Sequence, residues 1–170
     1  VHPLDKIEYN LSILGQLQPE NPRLFLLGEN AFCLSTDYLM NIIELTHQYM
    51  PNITQFSMYS RIDDILRKSR EELVLIKSKG LSGLHIGIES GSDSILLERN
   101  KGVTTAQALE ALNMLDEVGI DYHITLIPGL GGRTFSRMHA LETAAFLNKI
   151  HPKSVWCLKL KLWEDTLLYK

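Results

Sequence analysis

Two carboxylates and two hydroxyls stand in the middle of the chain, in the run Gly87–Asp93, where an apolar strand gives way to a glycine turn and a helix. In that strand, aliphatic residues alternate with His85, Gly87 and Glu89, so period-two geometry places the polar residues on one face. Such a face must meet something other than a hydrophobic helix. Strand-to-helix junctions are where α/β enzymes hold ligands, so Glu89 is a candidate ligand contact or general base.

Two further polar turns follow apolar strands, at Leu27–Asn30 and at Ile127–Gly132. The first carries the carboxylate of Glu29, and the glycines of the second allow backbone amides to approach a ligand closely. Parallel strands of a barrel end at one rim, which is its ligand-binding face. The three turns are therefore predicted to converge on one site.

Each turn also has a purely structural interpretation. Glu89 could cap the helix that follows it, and so could Ser92 or Asp93. Glu29 has the same ambiguity when it is taken alone. The run Gly129–Gly132 has neither the Gly-Lys-Ser/Thr of a phosphate loop nor the full spacing of a dinucleotide fingerprint, so by itself it indicates a flexible turn.

Histidines and cysteines give no metal pattern. His85 and His123 have no Asp or His nearby at ligand spacing, which favours hydrogen-bonded histidines of a barrel interior. Cys33 is interpreted as a loop or helix-entry residue and Cys157 as a buried small hydrophobe, since neither a disulfide framework nor a metal spacing is present. The charge run Lys68–Glu72 is interpreted as the solvated start of a helix.

Strand-like and helical stretches alternate along the chain, and helix signals separate them. Ser35, the capping boxes Ser69–Glu72 and Thr104–Gln107, and the glycines 80 and 119 predict where helices begin and end. A further helix is predicted over Asp5–Leu17. The apolar strand-like runs lie at about residues 23–28, 53–59, 83–89, 121–127 and 154–160.

This alternation implies parallel strands joined by crossovers, and hence an α/β fold. A partial parallel βα barrel is favoured over a doubly wound sheet, because a doubly wound sheet buries both strand faces under helices. A barrel normally starts with a strand whereas this chain starts with a helix, so at least one strand and its loop are expected upstream. The polar residues that share the predicted inner face are Ser57, Tyr59, His85, Glu89, His123, Thr125, Cys157 and Lys159.

Composition describes one ordinary soluble domain: 170 residues, 45% hydrophobic, 22% charged and a net charge of -3. The sequence contains neither an apolar run of about 18 residues nor the pattern of a signal peptide, which predicts a cytoplasmic protein without a membrane partner. It also has no basic stripe, so a nucleic-acid partner is neither supported nor excluded.

Five ordered blocks together resemble one enzyme family. The set is similar to radical S-adenosylmethionine (SAM) enzymes, and most similar to the branch with oxygen-independent coproporphyrinogen oxidase, tRNA methylthiotransferases and the elongator catalytic subunit. The resemblance extends from about residue 20 to 165, and its middle block is the most specific. The blocks are Leu-Leu-Gly-Glu-Asn at 26–30, Tyr-Ser-Arg at 59–61, the glycine-rich run at 80–93, Asn-Lys-Gly-X-Thr at 100–104 and Ile-Pro-Gly-Leu-Gly-Gly at 127–132.

The resemblance implies a partial six-stranded βα barrel that, in the complete protein, binds SAM and a 4Fe-4S cluster. The implied reaction is reductive cleavage of SAM to a 5′-deoxyadenosyl radical, which abstracts hydrogen from a substrate that the sequence does not identify. A flavodoxin-type or ferredoxin-type electron donor is implied as a partner.

Position in these blocks also implies cofactor contacts. Gly28 and Glu29 match the turn that meets the methionine amino group, although the family's paired glycines are replaced here by Leu27 and Gly28. Tyr59 matches the end of the next strand. Lys101 matches a basic position that could pair with the methionine carboxylate, and a plain surface lysine is its structural alternative.

The remaining implied contacts lie in the later blocks. Glu89 and Ser90 match the positions that face the methionine or the ribose, and Ile127 to Gly129 match the turn beside the adenine.

The family's cluster motif is absent from these residues. Relatives hold the cluster with C-x-x-x-C-x-x-C in the loop after their first strand, which is also the strand expected upstream. One truncation explains both gaps, so this chain is expected to be a catalytically silent fragment with no cofactor bound. Two alternatives stay open: a cluster-less, noncatalytic barrel that binds a nucleotide or a protein partner, and a conventional barrel enzyme that uses Glu89 with His85 or His123.

Overall fold

Five parallel strands lie side by side in the same order as they occur in the chain. The computed structural model describes residues 2–166. A sequential order is typical of a barrel wall, whereas a doubly wound sheet reverses its strand order at a switch point. The predicted partial parallel βα barrel is therefore confirmed. The strands are β1 (Arg23–Leu26), β2 (Gln55–Ser60), β3 (Leu81–Glu89), β4 (Asp121–Leu126) and β5 (Ser154–Cys157).

Helices connect the strands, and their ends follow local sequence signals. Ser35 accepts a hydrogen bond from the amide of Tyr38, both predicted capping boxes form, and Gly119 adopts the left-handed conformation with φ +74°. The first helix begins one residue before its predicted start. The helices are α1 (Leu4–Leu17), α2 (Thr36–Tyr49), α3 (Ile62–Leu66), α4 (Arg70–Ser78), α5 (Asp93–Glu98), α6 (Thr105–Val118) and α7 (Ser136–Leu147), with a 3₁₀ turn at Ala31–Cys33. Within residues 2–166, no helix is long and apolar enough to cross a membrane.

The two faces of the sheet differ in chemistry. Leu84, Ile86 and Ile124 point to the helix-covered face and are at most 1% exposed. Each such side chain contributes about 1.5–3 kcal/mol when it leaves water. The other face carries His85 and Tyr59, and Tyr59 is 42% exposed. One apolar face and one polar face are what an incomplete barrel requires, because only its outer side packs against helices.

The predicted inner face of β5 was wrong by one residue. Trp156 pairs with Thr125 and lines the inner face, whereas Cys157 pairs with Leu126, whose side chain belongs to the apolar core. Cys157 is also exposed rather than buried. A four-residue strand gives a weak period-two signal, and Lys159 lies beyond the end of the strand.

The charge run at the start of α4 is not simply solvated. Lys68 is only 8% exposed, and its Nζ donates to the carbonyl of Leu34 at 2.8 Å and lies 5.0 Å from the ring centre of Phe32. Burial lowers the pKa of Lys68. Glu72 accepts from the hydroxyl of Thr36 at 2.6 Å. These two side chains reach back to the segment that follows β1, and a local pattern contains no sign of such long-range contacts.

The side chains after β3 also cap differently from the prediction. Ser92 is the N-cap residue of α5, but its side chain makes no capping hydrogen bond. Asp93 instead accepts from the amide and the hydroxyl of Thr105 at 2.6 and 3.0 Å. Asp93 therefore supports the start of α6, twelve residues along the chain, rather than its own helix.

Candidate functional site

A cavity of about 840 Å³ lies on the open face of the sheet, near the carboxyl ends of the strands. Side chains from all five strands or the turns after them line it. Of the eight residues predicted to contact a cofactor, four line this cavity: Glu29, Tyr59, Glu89 and Lys101. The structure thus brings together the turn after β1, the end of β2 and the turn after β3.

Glu89 and Lys101 form an ion pair inside the cavity, with 2.6 Å between Oε2 and Nζ. Their side chains are 20% and 31% exposed. The loop after α5 positions Lys101, whose amide donates to the carbonyl of Leu96 at 2.9 Å. A partly solvated pair is worth only about 0–1 kcal/mol. Both charges are therefore available to a ligand that carries a cation and an anion of its own.

The backbone of Glu89 is strained. Its φ is +67°, a left-handed conformation that costs a residue other than glycine about 1–2 kcal/mol. The strand register shifts between Gly87 and Glu89, so Glu89 leaves the regular ladder here. The carbonyl of Glu89 accepts from the amide of Ile127 at 3.0 Å, and the imidazole of His139 lies near the Glu89 backbone. Burial lowers the pKa of His139, which favours a neutral imidazole. This strained turn directs the Glu89 carboxylate into the cavity.

Ser90 and Gly91 build the turn rather than the cavity wall. Ser90 is fully buried, and its hydroxyl accepts from the amide of Ser92 at 3.1 Å. The amide of Gly91 donates to the hydroxyl of Thr143 at 3.0 Å. A Cβ on Gly91 would lie 2.6 Å from the Cα of Thr143 and 2.7 Å from the Cβ of Phe146. Only glycine allows the turn to pack this closely on α7.

The turn after β1 contributes an unpaired acceptor. Asn30 donates through Nδ2 to Asp64 at 2.6 Å, which fixes the orientation of its amide. Its Oδ1 is buried and has no hydrogen-bond partner among residues 2–166, although Asn30 lines the cavity beside Glu29. A buried acceptor without a partner costs about 1–3 kcal/mol. An ammonium or hydroxyl donor of a ligand could complete it. Gly28 has open space around it and stands outside the cavity lining.

The turn after β4 stands at the rim. Ile127 donates its amide to Glu89, and Gly129 has φ +96° with no atom within 4 Å of the point that a Cβ would occupy. Neither residue lines the cavity. The hydrogen bond from Ile127 nevertheless links this turn to the turn after β3, so the Ile127–Gly132 turn supports the backbone of Glu89.

Several cavity residues were not predicted from the sequence. Phe25, Arg61 and Trp156 line the cavity, and Arg61 binds Asp63 with 2.8 Å between Nε and Oδ1. Arg61 lies in one of the resemblance blocks, which was the available signal for it. Side chains alternate between the two faces of a strand, so counting along β1 could have placed Phe25 on the inner face.

The sequence profile of the radical SAM superfamily matches residues 8–144, which is most of the chain. The chain belongs to the radical SAM superfamily. This family assignment confirms the resemblance carried by the five sequence blocks.

Known radical SAM relatives are distant in sequence and close in fold. The heme chaperone HemW of Bacillus subtilis (strain 168) is 22% identical over 139 residues, covering 79% of this chain and 36% of HemW. Coproporphyrinogen III oxidase HemN of Escherichia coli superposes with a TM-score of 0.78 at 15% identity, over 93% of this chain and 36% of HemN. Elp3 of Methanocaldococcus infernus has a TM-score of 0.70 at 15% identity, over 96% of this chain and 43% of the Elp3 chain. This chain thus spans about a third of the length of HemW and HemN.

The cavity of this radical SAM chain fits SAM better than it fits the cluster. The paired charges of Glu89 and Lys101 and the unpaired Oδ1 of Asn30 suit a ligand with an ammonium, a carboxylate and hydroxyls. By contrast, within residues 2–166 no three His, Cys, Asp or Glu side chains converge in a way that could hold a metal. Cys33 and Cys157 are both exposed and free. The described residues do not provide the thiolate ligands that an iron-sulfur cluster requires.

Proposed function

We propose that residues 1–170 form the SAM-binding part of the core barrel of a radical SAM enzyme. The observation that carries the proposal is the Glu89–Lys101 ion pair, set at 2.6 Å in a cavity at the carboxyl ends of five parallel strands. Membership of the superfamily supports the reaction class, and the whole protein's activity and substrate are part of the proposal.

The charges of the cavity match those of the methionine end of SAM. Lys101 would leave its ion pair with Glu89 and bind the methionine carboxylate. Glu29 and Glu89 would accept hydrogen bonds from the methionine ammonium or the ribose hydroxyls. Asn30 Oδ1 would gain the donor that it lacks in the protein. The roles of Gly28, Ser90, Ile127 and Gly129 would be to shape the turns that hold these side chains.

The chain's contribution to catalysis would be positioning and exclusion of water. When bound, the reduced cluster supplies the electron that cleaves SAM to a 5′-deoxyadenosyl radical, which abstracts a hydrogen atom from the substrate. The apolar part of the cavity, with Phe25, Tyr59 and Trp156 in its lining, would keep water away from the reacting carbon.

We place the cluster cysteines outside these 170 residues. The described residues offer no metal-binding group, and the matched part of this chain covers only 36% of HemW and 36% of HemN. An electron donor of the flavodoxin or ferredoxin type would then serve the complete protein in the cytoplasm. Reading the coding sequence upstream of Val1 for three closely spaced cysteines tests this placement directly.

The decisive experiment uses the full-length protein under anaerobic conditions. After reconstitution with iron and sulfide, we expect the absorbance and electron paramagnetic resonance of a 4Fe-4S cluster, and 5′-deoxyadenosine after reduction in the presence of SAM. A well-folded full-length protein that gives neither the cluster signal nor 5′-deoxyadenosine would overturn the proposal. Such a result would favour the cluster-less barrel that binds a nucleotide or a protein partner.

A conventional acid–base enzyme has less support. Within residues 2–166 the Glu89 carboxylate pairs with Lys101, and no hydrogen bond joins it to His85 or His123. The Nδ1 of His123 is engaged with the hydroxyl of Ser154 at 2.8 Å. A general base needs hydrogen-bond reach to its proton and a matched partner, and the described part of this cavity shows no such pair.

A further inference from the structure

A continuous layer of aromatic rings crosses the floor of the cavity. Each of the five strands contributes one ring to what we call the aromatic layer: Phe25, Tyr59, His85, His123 and Trp156. His85 stacks on His123 with 4.6 Å between ring centres and meets Phe25 edge to face at 5.0 Å. Tyr59 lies 5.0 Å from Phe25, and Trp156 lies 6.4 Å from His85.

The strand register shows that these rings form one level of the barrel. Tyr59, His85 and His123 are direct register partners across three strands. Phe25 pairs with Ser57, two residues before Tyr59, and Trp156 pairs with Thr125, two residues after His123. Both offsets run in the same direction, which is the stagger produced by the tilt of barrel strands, so residues offset in this way lie at a similar height.

Space remains above the layer. Gly87 follows His85 on the same face and has no side chain, and a Cβ placed there would lie 3.4 Å from Glu89 Oε1 and 3.7 Å from Thr125 Oγ1. The cavity lining includes Gly87 and Thr125 as well as the rings below them. A ligand group can therefore descend from the charged rim, past Gly87, to the ring of His85.

The rim and the layer differ in charge. The formally charged side chains of the cavity lining stand at or beyond the ends of strands. The aromatic layer has none, and burial together with the neighbouring His123 lowers the pKa of His85, which keeps its imidazole neutral. The charged residues are Glu29, Arg61, Asp63, Glu89 and Lys101.

The rings are held in place and yet open to the cavity. The indole of Trp156 donates to the hydroxyl of Ser154 at 2.9 Å, and that hydroxyl also bonds His123. Trp156 is nevertheless 55% exposed and Tyr59 is 42% exposed. Rings that served only to fill the barrel would be covered by their neighbours, as the side chains on the helix-covered face are.

We propose that the aromatic layer binds a flat, uncharged aromatic ring of the substrate, beneath the charged rim. The assignment of that ring to the substrate rests on the proposed function, in which the rim takes SAM. Ring-on-ring contact in offset or edge-to-face geometry accounts for the preference, and the neutral imidazole of His85 offers one hydrogen-bond donor and one acceptor at the ring edge.

The test compares two uncharged probes of similar shape on the full-length protein. The first is 2-naphthalenemethanol, and the second is its saturated counterpart decahydro-2-naphthalenemethanol. Binding is measured by calorimetry and by saturation-transfer NMR. We expect the aromatic probe to bind about tenfold more tightly, because a few ring contacts contribute roughly 0.5–1.5 kcal/mol each beyond buried area.

Variants locate the binding site. Gly87→Leu fills the space above His85, so we expect loss of most of the aromatic probe's binding. Gly87→Ala is the matched control and should retain it, because its Cβ makes only ordinary contacts, with Glu89 Oε1 at 3.4 Å and Thr125 Oγ1 at 3.7 Å. His85→Leu removes the central ring without blocking the space and should abolish the preference for the aromatic probe. Thermal unfolding checks that each variant is folded. If Gly87→Leu does not fold, His85→Leu still tests the site.

Three results would overturn the inference: equal binding of both probes, no saturable binding of the aromatic probe, or unchanged binding in both Gly87→Leu and His85→Leu. Displacement of the probe by SAM on reconstituted protein would also overturn it, since the layer would then hold the adenine. Probe binding needs neither cluster nor SAM. Absence of 5′-deoxyadenosine would therefore count against the proposed function and leave this measurement standing.

Discussion

At the residue scale, the site depends on one strained carboxylate and its lysine partner. Glu89 adopts φ +67° and meets Lys101 at 2.6 Å, twelve residues further along the chain. The carbonyl of Glu89 is held by the amide of Ile127, so the strain is stabilised from outside the turn. Strain of this kind is typical of residues that must present a side chain to a ligand.

Replacement of Lys101 by methionine tests the role in SAM binding that we propose for it. We expect Lys101→Met to weaken SAM binding to the reconstituted full-length protein roughly ten- to hundredfold, because a hydrogen bond to a charged group contributes about 1.5–3 kcal/mol. Equilibrium binding of SAM provides the measurement. Lys149→Met is the matched control, since Lys149 is exposed and stands outside the cavity lining. Equal affinities of the two variants would contradict the role given to Lys101.

A pair of substitutions at Glu89 tests the backbone strain. Glu89→Gly and Glu89→Ala both remove the ion pair, but only glycine adopts φ +67° freely. We expect the glycine variant to have the higher free energy of unfolding by about 1 kcal/mol, measured by urea denaturation. At Gln55, an exposed strand position, the same pair should show the opposite order. A more stable alanine variant at both positions would rule out strain at Glu89.

At the element scale, the helix α7 braces the turn after β3. Thr143 of that helix accepts from the amide of Gly91, and His139, one turn earlier, lies near the backbone of Glu89. The helix is buried at Phe146 as well, so the brace is part of the hydrophobic core. A shift of α7 would therefore move the carboxylate, although no residue of that helix has been placed in contact with a ligand.

Gly91→Ala tests this packing. The added Cβ would lie 2.6 Å from the Cα of Thr143, which is backbone and cannot move aside alone. We expect a loss of about 1–3 kcal/mol of stability, seen as a lower midpoint of thermal unfolding. Gly28→Ala is the control on stability, since nothing lies within 4 Å of its Cβ position. Similar midpoints for both variants would show that the turn and α7 are less tightly packed than the structure indicates.

At the scale of the whole molecule, one sheet separates an apolar core from a polar cavity. The helix-covered side supplies most of the buried aliphatic residues, and the open side holds the cavity with its rim and aromatic layer. Two histidines of this arrangement are withdrawn from water, His85 half-buried in the cavity and His139 buried on α7. Their burial makes global stability depend on pH.

Acid should destabilise the fold through these histidines. Burial lowers the pKa of both His85 and His139 from 6.5, so near and below that value the unfolded chain binds more protons than the folded one. Stability therefore rises with pH through this window and falls as pH is lowered from about 7 to about 5. Urea unfolding across this range measures the slope, which should be smaller in the double variant His85→Phe with His139→Gln. An unchanged slope would show that other groups control it.

Much of the fold could be predicted because its signals are local. The caps at Ser35, Ser69 and Thr104 depend on contacts three residues apart, and the α/β class follows from the alternation of strands with helices. Alternation within β3 also identified the polar face correctly. Where the strand is only four residues long, as in β5, the same counting put Cys157 on the wrong face.

The sequence by itself determined the family, the order of the elements and the three turns that meet at the rim. The tertiary structure alone decided which side chains enter the cavity: Lys101 pairs with Glu89, Ser90 is buried, Asp93 caps α6, and Trp156 completes a layer of rings. The physical reason is range. Caps and strand alternation act over a few residues, whereas the direction of a side chain at a register shift depends on atoms that only packing brings near.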